Sequence, residues 1–413
     1  MATFSIALSG LTAANSALDI TSNNIANANT IGFKNSQAEF ADVYASGAVN
    51  LNSSTSGEGV RLVTAAQQFT QGNISTTSGA LDLAISGNGF FTLNSENGNV
   101  YTRNGQFSED ANGNVVSSTG QDLQVYPPLA NGGFNTGALA DLNLNTAQSA
   151  PVATTTGNVI LNLPSNATVP TQAPFNPANS NTYTQSTSTT VYDSLGNSYP
   201  ATMYFSQTAA PDVWTVNMAI NGTAVGAAQT LTFSNTGAVT VPANGTLTFG
   251  AAPNQFVPPD GAQKMTVAFN FGQTTQYGTQ FGVTSITQNG YTTGQLSTVS
   301  IDTTGVVSAV YTNGRSTQLG QLAIANFPNP QGLQQLGDTN WAQTFASGTV
   351  VQGTAGSAGF GSIQAGALES SNVDLTTELV NMITEQRAFQ ANAQVITTAD
   401  QMSQTVIGIA TNG

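Results

Sequence analysis

Apolar residues recur every seven positions near both ends of the chain. Towards its end the row is Leu368, Leu375, Met382, Phe389 and Ile396, with Leu379 beside it. At its start the row is Phe4, Leu11, Leu18 and Ile25, with Leu8 between. This spacing predicts an amphipathic helix over residues 1–30 and another over residues 368–409, each with a seam of the coiled-coil type.

Both predicted helices carry few charged residues, so ion pairs along their surfaces add little stability. Each helix therefore needs a partner that covers its apolar side. We expect the two helices to pair with each other and with copies on neighbouring subunits. The predicted subunit-assembly seam consists of Phe4, Leu8, Leu11, Leu18, Ile25, Leu375, Leu379, Met382, Phe389 and Ile396.

The chain between the helices has the alternation of β-strands. Leu81, Leu83 and Ile85 alternate with smaller or polar residues, and residues 265–271 alternate most clearly. Asn-Gly pairs at 97–98, 104–105 and 112–113 predict hairpin turns. The fold class is therefore mainly β with long terminal α-helices.

The order helix, β, β, β, helix predicts a nested organisation. The two helices form one coiled-coil-like inner domain, a discontinuous β domain follows it, and a second β domain (a sandwich or a barrel) is inserted into the discontinuous one. A Ser/Thr/Gly/Asn-rich stretch at 50–59 predicts a hinge. The predicted boundaries are 1–34 and 366–413 for the helical domain, 35–71 for a connecting segment, 72–145 and 285–365 for the discontinuous domain, and 146–284 for the insertion.

Charge and composition exclude several partners. Charged residues make up 6% of the 413-residue chain, the net charge is −14, and the six Lys and Arg provide no basic surface for nucleic acid or an anionic membrane. No continuous apolar run approaches the length needed for membrane insertion. The first 26 residues also lack the basic start and apolar core of a cleaved signal peptide, so we expect either a cytosolic protein or one exported by another route.

The chain contains no Cys and no His. This excludes thiol nucleophiles, histidine bases, disulfides and the usual zinc sites. Residues 110–114 resemble a calcium loop only faintly, because the glycine is in the fourth place rather than the sixth and the twelfth position is Gln121 rather than Glu, and a hairpin turn is favoured. We expect no catalytic, cofactor-binding or metal site, and no enzyme.

The end of the first predicted helix is rich in Asn between positions 23 and 29. Asn competes with the helix backbone for hydrogen bonds. Two interpretations stay open: a fraying helix end that stops at Gly32, or a ladder of amides that binds a neighbouring subunit or another protein.

Three groups of segments carry recognisable motifs. The first comprises Asn24, Ile25, Ala26, Asn27, Thr30, Gly32, Phe33 and Lys34; the second comprises residues 72, 81–91 and 101–107; the third comprises residues 366–380 and 386–393. Together they resemble the bacterial flagellar axial proteins (rod, hook and hook-associated). Within this family the chain length and the segments 191–197 and 319–330 are similar to the hook group, and residues 146–284 match least.

The resemblance implies a secreted subunit that polymerises into a short curved tube, which joins the motor-driven rod to the filament as a universal joint. It also implies partners: further copies of the chain, the flagellar rod, the hook cap, the hook–filament junction proteins and the flagellar export apparatus. The alternatives are a distal rod or other axial subunit and a monomeric extracellular β-rich adhesin or binding module. The apolar rows at both ends favour a polymer, because a monomeric adhesin has no use for them.

Overall fold

The computed structural model describes residues 2–43, 57–96, 98–145 and 148–411. Helix α1 spans Ala2–Ala26 and helix α2 spans Leu375–Thr411. The two terminal helices are therefore confirmed, with shorter bounds than predicted. Leu368 does not begin the second helix, because it lies in a short strand whose backbone pairs with residues 74–76.

The ends of the helices follow from local hydrogen bonds. The carboxylate of Asp374 accepts a hydrogen bond from the backbone N–H of Thr377 at 3.0 Å, which caps α2, and Glu378 adds negative charge in the first turn. At the other helix, Gly32 has a φ of +70°, a conformation that glycine adopts without strain, and the chain turns there towards the first strand.

Strands fill most of the described chain between the helices. In the first part they are β1 (Ser36–Val43), β2 (Gly59–Gln67), β3 (Ile74–Thr76), β4 (Leu83–Ser86), β5 (Phe90–Ser95), β6 (Gly98–Thr102), β7 (Phe107–Glu109), β8 (Val115–Ser117), β9 (Asp122–Tyr126) and β10 (Ala140–Asp141). In the middle they are β11 (Thr156–Pro164), β12 (Gln185–Tyr192), β13 (Ser198–Gln207), β14 (Val213–Ile220), β15 (Thr223–Phe233), β16 (Val239–Val241), β17 (Thr246–Phe249), β18 (Val267–Asn270), β19 (Thr275–Tyr277) and β20 (Gly282–Gln288). In the last part they are β21 (Leu296–Ile301), β22 (Val306–Tyr311), β23 (Ser316–Asn326), β24 (Gln334–Gly337), β25 (Asn340–Ala342), β26 (Val351–Thr354), β27 (Ser362–Ala365) and β28 (Ala367–Glu369). Short 3-10 turns lie at Ser180–Thr182 and Pro330–Gly332.

The chain divides into two compact units. The first comprises Met1–Asn145, Thr298–Ala309 and Ser316–Gly413. Its largest sheet runs in the order β21-β22-β23-β9-β5-β6-β25-β24, with β7, β8, β10 and β26 attached at its sides. Strands that precede the second unit in the sequence and strands that follow it therefore lie side by side in one sheet. Its core includes Leu83, Phe91, Leu93, Leu322 and Ile324, all almost fully buried.

Three two-stranded ladders complete the first unit. Strands β1 and β2 form an antiparallel ribbon, β27 pairs with β4, and β28 pairs with β3. The last two ladders join the segment before α2 to the beginning of the β region. The predicted hinge at 50–59 falls largely on residues outside the described ranges.

The second unit comprises Thr146–Ser297 and Val310–Arg315. It contains two five-stranded sheets, one formed by β11 with β17 to β20 and the other by β12 to β16. Both contribute to one core: Val159 and Phe269 come from the first sheet, and Phe205 and Trp214 from the second. Two sheets that share one core form a β-sandwich, which selects between the two predicted architectures. The proposed division of the chain into four domain regions stays a prediction.

Glycine has two distinct uses in the first unit. Gly98 and Gly113 have φ of +109° and +83° in the turns after β5 and β7, as the Asn-Gly pairs predicted. The hairpin predicted at 104–105 is wrong, because β6 and β7 pair with other strands. Gly105 instead lets two backbones approach each other: a Cβ there would lie 1.6 Å from the carbonyl oxygen of Leu83.

We expect Gly105→Ala to lower the free energy of unfolding of the first unit by at least about 2 kcal/mol, because backbone cannot move aside as a side chain can. Gly137→Ala is the control, since its Cβ would meet nothing closer than 3.4 Å, and it should change stability by less than about 0.5 kcal/mol. Urea unfolding followed by the fluorescence of Trp341, in a Trp214→Phe background, measures both. Equal stability of the two variants would contradict the close approach.

Candidate assembly surface

Helix α1 packs within its own chain through small side chains. Its buried positions are Ala7, Ala14, Ala17, Thr21 and Asn24, and Gly10 lies in the same two seven-residue rows. A Cβ at Gly10 would lie 2.8 Å from the side-chain oxygen of Asn392 in α2. The two helices therefore approach each other closely, and their pairing is confirmed.

The helices run antiparallel, since Gly10 meets Asn392 while Phe4 lies beside the last turns of α2. The less exposed row of α2 steps by three and four residues through Glu378, Met382, Glu385, Phe389, Asn392, Ile396 and Ala399. Three residues of the predicted seam, Met382, Phe389 and Ile396, are thus half-buried on the inner side of α2. Leu11, Leu18 and Ile25 are half-buried beside the small-residue rows of α1.

Large apolar side chains of both helices remain exposed. We call them the apolar stripe: Phe4, Leu8, Leu375, Leu379, Val380, Ile383, Val395, Met402 and Val406, each between 46% and 65% exposed. Phe4 and the later part of α2 line a groove of about 850 Å³. Exposed apolar surface such as this groove marks an interaction site. The contact of these residues with another subunit stays a prediction.

The N-terminal motif ties the end of α1 to the first strand. Asn24 is 1% exposed, and its amide donates to the carbonyl of Ser36 at 2.8 Å and accepts from the backbone N–H of Ser36 at 2.9 Å. Asn27 donates to the carbonyl of Asn23 at 3.0 Å and accepts from the hydroxyl of Thr30 at 3.1 Å. The helix end is therefore held by its own amides; Ile25 is half-buried and Ala26 is exposed.

Gly32 and Phe33 continue this fixed segment into the interior. Phe33 is buried, and the backbone N–H of Gly32 donates to the carbonyl of Glu369 at 2.8 Å. A Cβ at Gly32 would lie 2.5 Å from the backbone nitrogen of Asn104. Only glycine fits where these three parts of the chain meet.

The centre of this meeting point is a buried charge cluster formed by Lys34, Arg103 and Glu369. The ammonium of Lys34 lies 2.6 Å from one carboxylate oxygen of Glu369, and the guanidinium of Arg103 lies 3.1 Å from the other. All three residues are at most 5% exposed. Lys34, Arg103 and Glu369 belong to the first, second and third motif segments in turn, so the charge cluster joins all three.

Further hydrogen bonds support the charge cluster, although the Nε atom of Arg103 is buried without a partner in the described chain. Lys34 donates to the carbonyl of Thr70 at 2.8 Å, Glu369 accepts from the backbone N–H of Gly72 at 2.8 Å, and Arg103 donates to the carbonyl of Gly87 at 2.8 Å. These backbone groups belong to segments around β3 and β4, so the cluster also positions the connecting loops.

The cluster contains one carboxylate and two cations, and this arrangement affects the pKa values of both cations. Burial lowers the pKa of Lys34, and the attraction of Glu369 opposes that shift. Burial likewise lowers the pKa of Arg103, again against the attraction of Glu369. The second cation gains a further contact, because the guanidinium of Arg103 lies 5.4 Å from the centre of the Phe90 ring.

Asn372 adds a second connection beside the cluster. Its side-chain oxygen accepts from the backbone N–H of Asn35 at 2.7 Å, and its amide donates to the carbonyl of Gln68 at 2.8 Å. The start of the chain, the β1–β2 ribbon and the segment before α2 are thus fixed to one another.

Sequence reasoning missed Arg103, Glu369 and Asn372 as functional residues, although each lies in a motif segment. The scarcity of charged residues could have indicated Arg103, because two of only six basic residues in the chain fall inside the first two motifs. The rows of small residues in α1, at spacings of three and four, could also have been predicted as a packing surface. The larger apolar residues beside them gave the stronger periodic pattern.

Among the described residues, no group of three or more acidic side chains is placed to hold a metal ion. No described helix is long and apolar enough to cross a membrane.

Four families match successive parts of the chain. They are the flagella basal body rod protein family (residues 4–34), the flagellar hook protein FlgE/F/G D1 domain (84–174), the flagellar basal body protein FlaE D2 domain (162–291) and the flagellar basal body rod FlgEFG protein C-terminal family (364–409). Together they reach from the first helix to the last.

Whole-length relatives are flagellar hook proteins FlgE. Those of Escherichia coli K12 and Salmonella typhimurium LT2 are each 40% identical, over 98% of this chain and 99% of theirs. That of Borreliella burgdorferi is 34% identical over 97% of both chains. The crystal structure of the Helicobacter pylori flagellar hook protein FlgE2 matches with a TM-score of 0.51 at 14% identity, covering 72% of this chain and all of that one. This last likeness concerns the fold.

We expect Glu369→Gln to lower the free energy of unfolding by about 3–5 kcal/mol, because it leaves two buried cations without an anion. Glu96→Gln, an exposed acid in the turn after β5, is the control and should stay within about 0.5 kcal/mol. Denaturant unfolding of both variants tests this. A small effect at Glu369 would mean that the cluster does not hold the motif segments together.

Proposed function

This chain belongs to the flagellar hook protein family, and we propose that it is a non-enzymatic structural subunit of the bacterial flagellar hook. In this proposal it polymerises into a curved, flexible tube that transmits motor torque from rod to filament. Its place is in the flagellum, as a component of a homopolymeric axial assembly.

The observation that carries the polymer is the apolar stripe. Because each such side chain is about half exposed, burial of the exposed part contributes about 1 kcal/mol. Because the helices already use small residues to pair within the chain, the large residues are left available for neighbours. The predicted seam thus splits in this proposal: Phe4, Leu8, Leu375 and Leu379 contact other copies, while Met382, Phe389 and Ile396 also support the helix pair.

In this proposal the second unit sets the curvature of the tube. The helices and the split β region of the first unit form the contacts that run continuously along the tube. The second unit has its own core, and residues 146–284 contain only four charged side chains: Asp193, Asp212, Asp260 and Lys264. A surface of Thr, Asn, Gln and Ser forms hydrogen-bonded contacts of similar energy in several registers. Such contacts permit the neighbour spacings of a bent tube to change as it rotates.

Export and partners complete the proposal. The subunit leaves the cell through the flagellar export apparatus and lies outside it, where it contacts the rod, the hook cap and the hook–filament junction proteins. The family membership supports this assignment. The test is to express the chain in a strain that lacks the flagellar export apparatus, where the chain should accumulate inside the cell.

We expect Val395→Asp to abolish polymerisation while the monomer stays folded, because each new carboxylate would be buried against a neighbour. Val169→Asp is the matched control, since both valines are 49% exposed and Val169 lies in the second unit. Sedimentation and negative-stain microscopy of concentrated protein distinguish them. Normal tubes from Val395→Asp would rule out the apolar stripe as the subunit contact.

We expect replacement of residues 146–284 by a Gly/Ser linker to leave polymers that are straight or differently curved. The first unit keeps its core in that variant, because the buried residues of the two units form separate clusters. Electron microscopy is the measurement. Tubes of normal curvature would place the control of shape in the first unit, and a complete absence of tubes would make the second unit an assembly contact.

A further inference from the structure

A polar cleft opens in the first unit between α1, β1 and the first turns of α2. Its volume is about 370 Å³, and its lining includes Thr21, Asn35, Glu378 and Glu385. No Lys or Arg lines it. The cleft is thus rich in acceptors and acidic.

Two groups in this cleft lack partners within the described chain. Glu378 is only 8% exposed, and its carboxylate forms neither an ion pair nor a hydrogen bond with a described residue. The side-chain oxygen of Asn35 is buried and accepts no hydrogen bond. An unpaired carboxylate on a largely buried side chain gains stability when a donor reaches it, whereas the oxygen of Asn35 has almost no exposed surface through which a donor could approach. The dipole of α2 favours Glu378 in the first turn, but not Glu385 two turns later.

The donor that fits is a guanidinium, since its fork of N–H groups can bind a carboxylate through two parallel hydrogen bonds. Arg387 is the single basic residue in both helices. It is exposed and forms no ion pair with a described residue. Nine residues separate it from Glu378, which places it about 180° around α2 from the cleft. It therefore lies beside Val380 and Ile383, within the apolar stripe.

We infer that Arg387 of one copy of this chain enters the acidic cleft of the next copy and binds Glu378 and Glu385. This inference rests on the proposed polymer. Burial of the apolar stripe between copies would desolvate Arg387, and the cleft supplies the anion that such burial requires. Because donor and acceptor lie on opposite sides of α2, the contact is head-to-tail, and head-to-tail contacts that do not close generate open helical polymers.

Crosslinking tests this placement without removing any of the charges. Asn381→Cys lies in the cleft and Ala391→Cys lies one turn beyond Arg387, and the natural chain has no Cys. A short bis-maleimide added to polymers of the double variant should give a ladder of covalent dimers, trimers and longer chains. Each single variant should give no ladder. Polymers of the double variant that yield no ladder would overturn the inference, whereas failure of the natural chain to polymerise would count against the proposed function itself.

Assembly energetics provide the second measurement. Arg387→Ala and Glu378→Gln should each raise the critical concentration for polymerisation about tenfold or more, and the double variant should be little worse than either single one. Arg61→Ala is the control, because Arg61 is an exposed cation of the same unit without an ion pair to a described residue, and it should change the value less than about twofold. Additive losses, or an equal effect of Arg61→Ala, would contradict the contact. A third result would also contradict the contact: Arg387→Ala assembles normally, but EDTA prevents polymerisation. That result would place a divalent cation, and not Arg387, in the cleft.

Discussion

The rest of the structure depends on one buried carboxylate. Glu369 receives Lys34 from the end of the first helical segment and Arg103 from the strand region, and it lies six residues before α2. A buried ion pair is weak support for stability in general, but removing one of its members is costly. Here the members of the cluster are residues 34, 103 and 369. Both ends of the chain can therefore separate from the β region only if this buried ion-pair cluster is broken, which costs free energy. The charge cluster thus fixes the place at which the two helices join the strands of the first unit.

The helix pair obeys a complementary constraint. Ala7, Gly10, Ala14 and Ala17 allow close approach to α2, and close approach leaves no room for large side chains at these positions of α1. The larger residues are displaced outward and remain exposed. A chain that needed only to fold would place its leucines between its helices. This one places small residues on the inner side of α1 and leaves large apolar residues of both helices exposed, an arrangement that suits a subunit whose final neighbours are other subunits.

Much of this was predictable from local pattern. Seven-residue rows predicted both helices, alternation predicted the mainly β middle, and the motif segments indicated the family. Three features were not predictable in this way. The side of α1 that packs against α2 was not predicted, because hydrophobic periodicity gives most weight to large residues and this side is made of Ala, Gly and Thr. Gly105 was read as a turn, because the close approach of Leu83 is a tertiary contact that no local pattern encodes. Glu369 was passed over for the same reason: its partners lie 335 and 266 residues away in sequence.

The central claim is that the exposed side of the terminal helices is covered by other copies of the chain. Oxidation of the natural methionines tests it most directly, because oxidation follows exposure and no mutation is needed. Met402 is 65% exposed, whereas Met203 and Met218 are buried in the second unit and report on unfolding. Mass spectrometry after brief peroxide treatment should find Met402 oxidised rapidly in the soluble chain and protected in the polymer, with Met203 and Met218 slow in both. Equal oxidation of Met402 in soluble chain and polymer would contradict the account.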